Sequence, residues 1–512
     1  MSADGGADHE AVLTALVARG RFGIRLGLGR TRALLALLDD PQRAVRGPLI
    51  AGTNGKGSVQ ALVSAMLAEA GYRVGQTPKP HLVDYRERLV VAGEQIGRDE
   101  FAALVGRVLE AAECVPRRLG PPTEFEIVTA AAFTWFRQRA VDVAVVEVGL
   151  GGRLDATNAW DGGVAAVTNV GMDHAELLGG TIQAIAREKA AILKRGDRAV
   201  TGATGEGLAV VRRRARRLGV PLHEVGPLPV LGMDRDGLRV EAHGLGPVRM
   251  RLLGRHQALN AAVALAIVDE LEAAGIAAVP DEARRRGLER ATWPGRLELI
   301  AVPPAARPLE LIAVPPPAAR AGAGSGSGGA ADVAAGPGAI GRIEPRTVDV
   351  LLDGAHNPDG VAALAAAVHE LRPSLAAGRP VLLLAIMRDK DVESMLATLA
   401  GAPDLVEARV VTTRVGERGL DARDLAARFD RARAWARRDG PVARGAGPDA
   451  LEGLAAPRDR AFAPAQPVPD PREALDVALD QAGREGGPLV VAGSLYLVGA
   501  VRGILQTRGL VA

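Results

Sequence analysis

Short apolar runs that alternate with helix-like stretches do most to limit the folds open to this chain of 512 residues. VDVAVVEVGL (141–150) and GGVAAVTNVG (162–171) are bounded by turn residues, which is typical of buried parallel strands. The same pattern returns in VDVLLDG (348–354), PVLLLAIM (380–387) and PLVVAGS (488–494). Because such strands alternate with helical stretches, we predict an α/β fold with doubly wound sheets in two units.

A segment rich in Pro, Ala, Gly and Ser separates the two units. Its sequence AGAGSGSGGAADVAAGPGAIG (321–341) cannot build a packed core. Just before it, LELIAVPPAARP (297–308) is repeated as LELIAVPPPAAR (309–320). Two copies are too few for a solenoid, so we expect one copy to supply a strand. We predict three parts: a domain with a phosphate-binding loop (P-loop) at 1–298, a linker at 299–345 and a smaller Rossmann-like α/β domain at 346–512.

Cysteine content and charge bear on the compartment and the partners. The single cysteine, Cys114, cannot form an intramolecular disulfide and suits a reducing compartment. The chain starts with a polar, acidic stretch and has no run of 18 apolar residues, so we expect a cytoplasmic protein without a membrane partner. The net charge of +3 is small, and the basic run VRRRARRLG (211–219) has no aromatic residue nearby. We therefore expect no nucleic-acid partner.

Lysine is rare in this chain. Of the 63 basic residues, five are lysines and the others are arginines. An ammonium group is a compact charge whose pKa shifts readily and whose amine can react, whereas a guanidinium stays charged. Each lysine is therefore a candidate for chemistry, with chance retention as the alternative. The five are Lys56, Lys79, Lys189, Lys194 and Lys390.

The segment AGTNGKGS (51–58) follows the apolar run PLI and precedes a helical pattern. A strand, a glycine-rich loop and a helix in this order form the usual cradle for phosphate groups. Lys56 would reach the β- and γ-phosphates of a nucleotide, and a hydroxyl would face Mg²⁺. Gly57 stands where that hydroxyl residue is expected and Ser58 comes one position later. An ordinary glycine turn is the alternative.

Two further strand ends carry polar residues. Glu147 closes the run VAVVE, and the carboxyl end of a strand is where open α/β sheets bind ligands. A carboxylate there suits Mg²⁺, although a solvated strand end is the alternative. His174 ends TNVGMDH (168–174), with Lys189 and Lys194 downstream. A lone histidine is more often structural, so these residues leave its role open.

Taken together, these motifs resemble one family, the folylpolyglutamate synthase/dihydrofolate synthase branch of the Mur ligase superfamily. The resemblance covers nearly the whole chain outside the linker and the irregular stretch 440–471. The motifs that carry it, in the order of that family, are GTNGKGS (52–58), EVGLGGRLDATN (147–158), TNVGMDHAELLG (168–179), EKAAILK (188–194), RHQALNAAVAL (255–265), WPGRLE (293–298), LDGAHNP (352–358) and GSLYLVG (493–499).

The resemblance implies a ligase that uses ATP to phosphorylate a carboxylate and then joins L-glutamate to it. The expected acceptors are dihydropteroate, reduced folate with its polyglutamates, or both, and relatives suggest a monomer. One alternative is a Mur ligase of cell-wall synthesis, although 51 residues before Gly52 leave little room for the extra substrate domain of that branch. The other alternative is a catalytically silent protein that binds ATP.

The resemblance also implies roles for individual residues. Lys56, His174 and Lys189 are expected in catalysis, with Lys189 carbamylated, and Glu147, His174 and Ser58 are expected to bind Mg²⁺. The expected nucleotide contacts are Thr53, Asn54, Gly55, Lys56, Gly57, Ser58, Asn260, Arg296 and Asp353. The expected substrate contacts are Thr123, Phe125, Glu126, Leu154, Asp155, Ala156 and His356.

Two features depart from the pattern of the family. Where the family usually reads Thr-Ser-Pro-His-Leu with the serine as a metal ligand, this chain has Lys79 in place of the serine. An ammonium cannot coordinate Mg²⁺, so either Ser58 or water replaces that ligand, or Lys79 itself supplies positive charge near the phosphates. In addition, Arg296 and Asp353 lie far apart in sequence, and we expect the insertion between them to loop out where the two domains hinge.

Overall fold

The computed structural model describes residues 8–22, 26–173, 175–303, 347–439 and 463–511. It confirms the predicted α/β fold, with two helix-covered sheets. The strands of the first unit are β1 (Gly47–Ala51), β2 (Val74–Thr77), β3 (Val90–Val91), β4 (Glu94–Gln95), β5 (Val143–Glu147), β6 (Gly163–Val167), β7 (Arg198–Thr201) and β8 (Leu222–Glu224). Its helices are α1 (His9–Ala18), α2 (Gly29–Leu37), α3 (Lys56–Glu69), α4 (Arg98–Glu113), α5 (Glu124–Gln138), α6 (Ala175–Leu178), α7 (Ile182–Ala190), α8 (Gly205–Leu218), α9 (Gln257–Ala273) and α10 (Asp281–Arg290).

The first sheet has the strand order β4-β3-β2-β5-β1-β6-β7-β8. The six strands from β2 to β8 in this order are parallel, whereas β3 and β4 form an antiparallel edge. Since β1 pairs directly with β5 and β6, the loops that follow these three strands meet at one edge of the sheet. That edge holds the phosphate loop, Glu147 and the segment after Val167.

A small antiparallel sheet follows the first sheet in the chain. It consists of β9 (Val230–Asp234), β10 (Gly237–Ala242) and β11 (Gly246–Met250). Leu238, Val240 and Met250 of this sheet are buried in the same core as α3, α9 and α10. From the turn after β9, Arg235 Nη2 reaches Asp349 Oδ1 of the second unit at 3.1 Å, so the small sheet braces the two units against each other.

The second unit is a six-stranded sheet with helices on both faces. Its order is β12-β13-β17-β14-β15-β16, and all neighbours except β12 and β13 are parallel. The strands are β12 (Glu298–Val302), β13 (Val348–Leu352), β14 (Val381–Leu384), β15 (Arg409–Thr412), β16 (Gln466–Pro467) and β17 (Leu489–Ala492). The helices are α11 (Pro358–Leu371), α12 (Val392–Gly401), α13 (Ala422–Asp439), α14 (Pro471–Glu485) and α15 (Leu495–Thr507).

Strand β12 differs from the expected division of the chain. Residues 299–302, which the sequence analysis places in the linker, pair with β13 as the edge of the second sheet. Ile300 and Val302 are buried there, so their apolar side chains are the physical reason for the pairing. The repeated copy and the Gly-rich stretch lie outside the described residues. Within the described part of the chain, no helix is long and apolar enough to cross a membrane.

Helix α3 carries the phosphate loop at its first turn and is held in place by α10. Gly287 of α10 lies against Met66 of α3, where a Cβ atom on Gly287 would be 2.5 Å from the backbone N of Met66. Heavy atoms do not approach that closely, so the two helices fit only because position 287 has no side chain.

We expect Gly287→Ala to lower the thermal unfolding midpoint, because overpacking costs about 1–3 kcal/mol and exceeds the gain of about 0.5–1 kcal/mol from alanine in a helix. Gly483→Ala in α14 is the matched control, since a Cβ there meets open space. Differential scanning fluorimetry of both variants measures the effect. A midpoint of Gly287→Ala at or above that of Gly483→Ala would contradict this account of the contact.

Candidate active site

A cavity of about 870 Å³ lies between the two units, at the edge where β1, β5 and β6 end. The phosphate loop forms one side of it, and Phe125 and Leu154 form another. The second unit contributes Asp353 and His356. Every residue that the sequence analysis assigns to the site lines this cavity, apart from His174, which lies outside the described residues.

The phosphate loop runs from the end of β1 to the start of α3. Gly55 precedes α3 with a φ of +83°, and a Cβ atom there would be 2.2 Å from Asn260 Oδ1. Both the left-handed backbone and the close approach therefore require glycine. The backbone N–H groups of Thr53 and Asn54 donate to Asn169 Oδ1 at 3.1 and 2.9 Å. Asn169 thus fixes the start of the loop.

Two lysines converge on the carbonyl of Gly52. Lys56 Nζ donates to Gly52 O at 3.0 Å, and Lys189 Nζ donates to the same oxygen at 3.1 Å. Burial lowers the pKa of Lys56. Burial and the neighbouring Lys56 lower the pKa of Lys189 to about 7. Near neutral pH, a large share of the Lys189 side chain is therefore the uncharged amine, which is the form that reacts with CO₂.

A polar relay that sequence reasoning missed connects two of the predicted nucleotide contacts. Asn260 Nδ2 donates to Gln257 Oε1 at 2.8 Å, and Gln257 Nε2 donates to Ser58 Oγ at 3.3 Å. All three side chains are buried. Gln257 and Asn260 are three positions apart on α9, and this spacing places them on one face of the helix. The spacing within RHQALNAAVAL was the available signal for Gln257.

Glu147 is a buried carboxylate with one unsatisfied oxygen. It ends β5, is 3% exposed, and its Oε2 has no hydrogen-bond partner among the described residues. Burial raises the pKa of Glu147, while Lys56 and Lys79 oppose that rise. Mg²⁺ takes carboxylate oxygens, so this oxygen suits a magnesium ion. Among the described residues, no three His, Cys, Asp or Glu side chains form a metal-binding group.

Lys79 lies on the cavity wall between Glu147 and Phe125. Its Nζ donates to the backbone oxygen of Glu147 at 2.9 Å and stands 4.6 Å from the centroid of the Phe125 ring. Burial lowers the pKa of Lys79 to about 8. The lysine that replaces the expected serine thus bridges the strand end and the aromatic wall.

Two of the predicted substrate contacts use their carboxylates within the protein. Glu126 forms a capping box with Thr123 at the start of α5 and accepts from Arg30 Nε at 3.0 Å and Thr31 Oγ1 at 3.2 Å. Asp155 accepts from four donors, namely the backbone N–H groups of Gly149, Leu150 and Thr157 and the Thr157 hydroxyl. These carboxylates shape the wall on which Phe125, Leu154 and Ala156 are presented.

The second unit supplies residues that join the two units beside the cavity. Asp353 accepts from the backbone N–H groups of Leu297 and Ala355, both at 2.9 Å. Arg296 Nη1 donates to Gly354 O at 3.2 Å, and His356 Nδ1 contacts the same oxygen at 2.8 Å. Burial lowers the pKa of His356 to about 4, so its imidazole is neutral at neutral pH.

Asp173 is a further site residue, which sequence reasoning did not assign. Lys390 Nζ donates to its Oδ1 at 3.1 Å, and Asn357 Nδ2 lies 3.4 Å from its Oδ2. Asn357 also donates to Asn54 Oδ1 at 3.2 Å. These contacts connect the phosphate loop and the segment after β6 with the second unit. The scarcity of lysine singled out Lys390, but its partner lies 217 positions away, and nothing in the sequence pattern links the two.

Both units match known protein families. Residues 50–268 match the Mur ligase middle domain, and residues 340–495 match the Mur ligase glutamate ligase domain. The chain is 34% identical to the dihydrofolate synthase/folylpolyglutamate synthase of Bacillus subtilis over 389 residues, which cover 74% of this chain and 80% of the relative.

Solved structures show the same relationship over almost the whole chain. The folylpolyglutamate synthase of Mycobacterium tuberculosis, complexed with ADP and AMPPCP, has a TM-score of 0.74 and 29% identity, with 97% of this chain and 99% of that chain covered. E. coli FolC in complex with DHPP and ADP has a TM-score of 0.70 and 25% identity, with 97% and 98% covered. The chain therefore belongs to the dihydrofolate synthase/folylpolyglutamate synthase family of the Mur ligases.

Proposed function

We propose that this chain is an ATP-dependent ligase that joins L-glutamate to dihydropteroate, to reduced folate and its polyglutamates, or to both, through an acyl phosphate. The observation that carries the proposal is the cavity between the units, where the phosphate loop, Glu147 and Lys189 face Asp353 and His356. Family membership supports the reaction class, and the relative from Bacillus subtilis is named for both activities.

The phosphate loop is the part of the cavity that we propose for the nucleotide. We propose that Thr53 to Ser58 hold the phosphates of ATP, with Asn260 and Arg296 beside them and Asp353 reaching from the second unit. Transfer of the γ-phosphoryl group to a carboxylate brings two anions together, so the reaction depends on positioning and on positive charge. Lys56 supplies that charge, and its contacts to backbone carbonyls keep it at the loop until phosphate oxygens replace them.

Glu147, His174 and Ser58 are the residues that would hold Mg²⁺. The unsatisfied oxygen of Glu147 fits this role, and the relay from Gln257 orients the hydroxyl of Ser58. Bound Mg²⁺ would neutralise phosphate oxygens of ATP. Lys189, once carbamylated, carries negative charge in place of positive charge, and it lies at the Gly52 carbonyl beside Lys56. An arginine could not form the carbamate.

The acceptor end of the reaction lies along α5 and the loop after β5. Phe125, Leu154 and Ala156 form the surface that we propose for the pterin ring, while Thr123, Glu126 and Asp155 hold that surface in place. His356 lies on the side where we expect glutamate. The contacts of Asp173 with Lys390 and Asn357 join the two units beside the cavity, and exclusion of water there would protect an acyl phosphate.

The assays also test the two alternative functions, a cell-wall Mur ligase and a catalytically silent protein that binds ATP. A cell-wall Mur ligase would use a sugar nucleotide rather than a pterin as acceptor. A silent ATP-binding protein is disfavoured by the presence of Lys56, Glu147 and Lys189 in one cavity. We also propose that the protein works as a cytoplasmic monomer with small-molecule substrates alone, because both units contribute residues to the cavity within one chain.

Glutamate-dependent ADP release is the first test of this function. With Mg²⁺ and ATP, we expect turnover with dihydropteroate, with tetrahydrofolate, or with both, measured by a coupled ADP assay at pH 7 to 8. Omission of glutamate is the control. Protein that binds ATP but turns over neither acceptor would reject the proposed function and leave the silent alternative.

Carbamylation of Lys189 has its own test. We expect Lys189→Ala to lose most of the ligase activity, with partial recovery upon addition of small carboxylic acids that replace the missing anion. In ¹³C-bicarbonate, the unsubstituted protein should show a carbamate signal by ¹³C NMR that is absent from Lys189→Arg. Since burial lowers the pKa of Lys189 to about 7, the uncharged amine and hence the signal should increase between pH 6 and pH 8. Full activity of Lys189→Ala would refute this role.

A further inference from the structure

Lys79 is a positive charge without an ion pair on the wall of the active-site cavity. In the described part of the chain, Nζ has one hydrogen-bond acceptor, the backbone oxygen of Glu147, and no carboxylate within 4.0 Å. Lys390 lines the same cavity but pairs with Asp173 at 3.1 Å. The charge of Lys79 is thus not balanced by a nearby carboxylate, although most of the residue is removed from water.

An ammonium group in such a position is costly unless an anion joins it. Partial removal from water disfavours the charged form, and one neutral carbonyl and one aromatic face compensate only in part. Asp155 and Glu147 attract Lys79 electrostatically, but Asp155 is occupied by four donors and the unsatisfied oxygen of Glu147 suits a metal ion. A negatively charged ligand in the cavity would provide the missing partner.

The position of Lys79 indicates which negatively charged group of the substrates would be its partner. The side chain lies between Glu147, which shares the nucleotide end with Lys56, and Phe125, which belongs to the acceptor wall. In the proposed reaction, the acceptor meets the γ-phosphate at this junction through its carboxylate. We propose that Lys79 binds the carboxylate of the acceptor and then the carbonyl oxygen of the acyl phosphate. This inference rests on the proposed function.

The role of Lys79 in the reaction follows from the charges. One carboxylate oxygen attacks the γ-phosphorus, and the bond to ADP breaks, while the other oxygen stays at Lys79. The glutamate amine then attacks the acyl carbon, and the oxygen at Lys79 becomes an oxyanion, which a nearby ammonium stabilises. Collapse forms the amide and expels phosphate, which leaves with the amine proton as hydrogen phosphate. Lys79 stays protonated throughout.

The test compares two ligands in the unsubstituted protein and in variants of Lys79. Dihydropteroate and its neutral carboxamide analogue, in which CONH₂ replaces the carboxylate, are titrated at pH 7 with Mg²⁺ and AMPPCP by isothermal calorimetry. We expect the unsubstituted protein to bind the carboxylate at least tenfold more tightly than the carboxamide. In Lys79→Met, which keeps the contact with Phe125 but removes the charge, the ratio should fall to within threefold. Lys79→Arg should recover part of it.

Lys194→Met is the matched control. Lys194 is also a partly buried lysine that donates to a backbone oxygen, but it does not line the cavity. Its substitution should leave the ratio of the two affinities unchanged. Thermal midpoints of all variants show whether each protein is folded before titration.

Three outcomes would overturn the inference. If the affinities of both ligands fall by the same factor in Lys79→Met, the side chain acts as a structural support of Phe125 and the strand end. A loss of affinity for AMPPCP relative to ADP would place Lys79 at the γ-phosphate instead. An unsubstituted protein that binds neither dihydropteroate, nor its carboxamide, nor tetrahydrofolate would reject the proposed function together with this inference, whereas the first two results reject the role of Lys79 alone.

Discussion

The parallel pairing of β1 with both β5 and β6 is the constraint on which the rest of the site depends. It brings three loops to one sheet edge, and each loop contributes a residue to the lining of the cavity: Lys56 after β1, Glu147 at the end of β5 and Asp173 after β6. Helix α3 must then begin at the centre of that edge. The contact at Gly287 holds the helix there, so packing remote from the cavity fixes the position of the phosphate loop.

The lysines at this sheet edge donate to backbone carbonyl oxygens, and a bound ligand could replace these contacts. Lys56 and Lys189 share one backbone carbonyl, and Lys79 donates to another, so neutral oxygens satisfy them only in part. Lys56 and Lys79 therefore keep capacity for an anion, and burial makes that capacity stronger than it would be in water, whereas a large share of Lys189 is the uncharged amine near neutral pH. A nucleotide, a carbamate and an acceptor carboxylate are three anions of the proposed reaction, and the three lysines lie where these anions would meet.

The sequence was sufficient for the fold class, because strand periodicity and glycine-rich loops are local signals, and the family resemblance indicated which motifs line one cavity. It was not sufficient to predict the hydrogen bonds that connect the site residues with one another. Gln257 and Asp173 gain their roles from partners that only the tertiary fold brings close. Glu126 and Asp155 line the cavity, and their carboxylates also accept hydrogen bonds from internal donors that the sequence did not indicate. Hydrogen-bond partners of this kind depend on packing rather than on sequence spacing.

The position of the insertion shows how a long added segment can leave such a site intact. In the antiparallel pair of β12 and β13, Glu298 faces Leu352 at one end and Val302 faces Val348 at the other. Arg296 and Asp353 lie just beyond the first end, whereas the insertion joins the second end, about 14 Å from the first at 3.4 Å per residue. Since the cost of closing a loop grows only slowly with its length, the hydrogen bond from Leu297 to Asp353 can form whatever the length of the insertion. The insertion therefore lies between Val302 and Val348, at the end of the strand pair remote from Arg296 and Asp353.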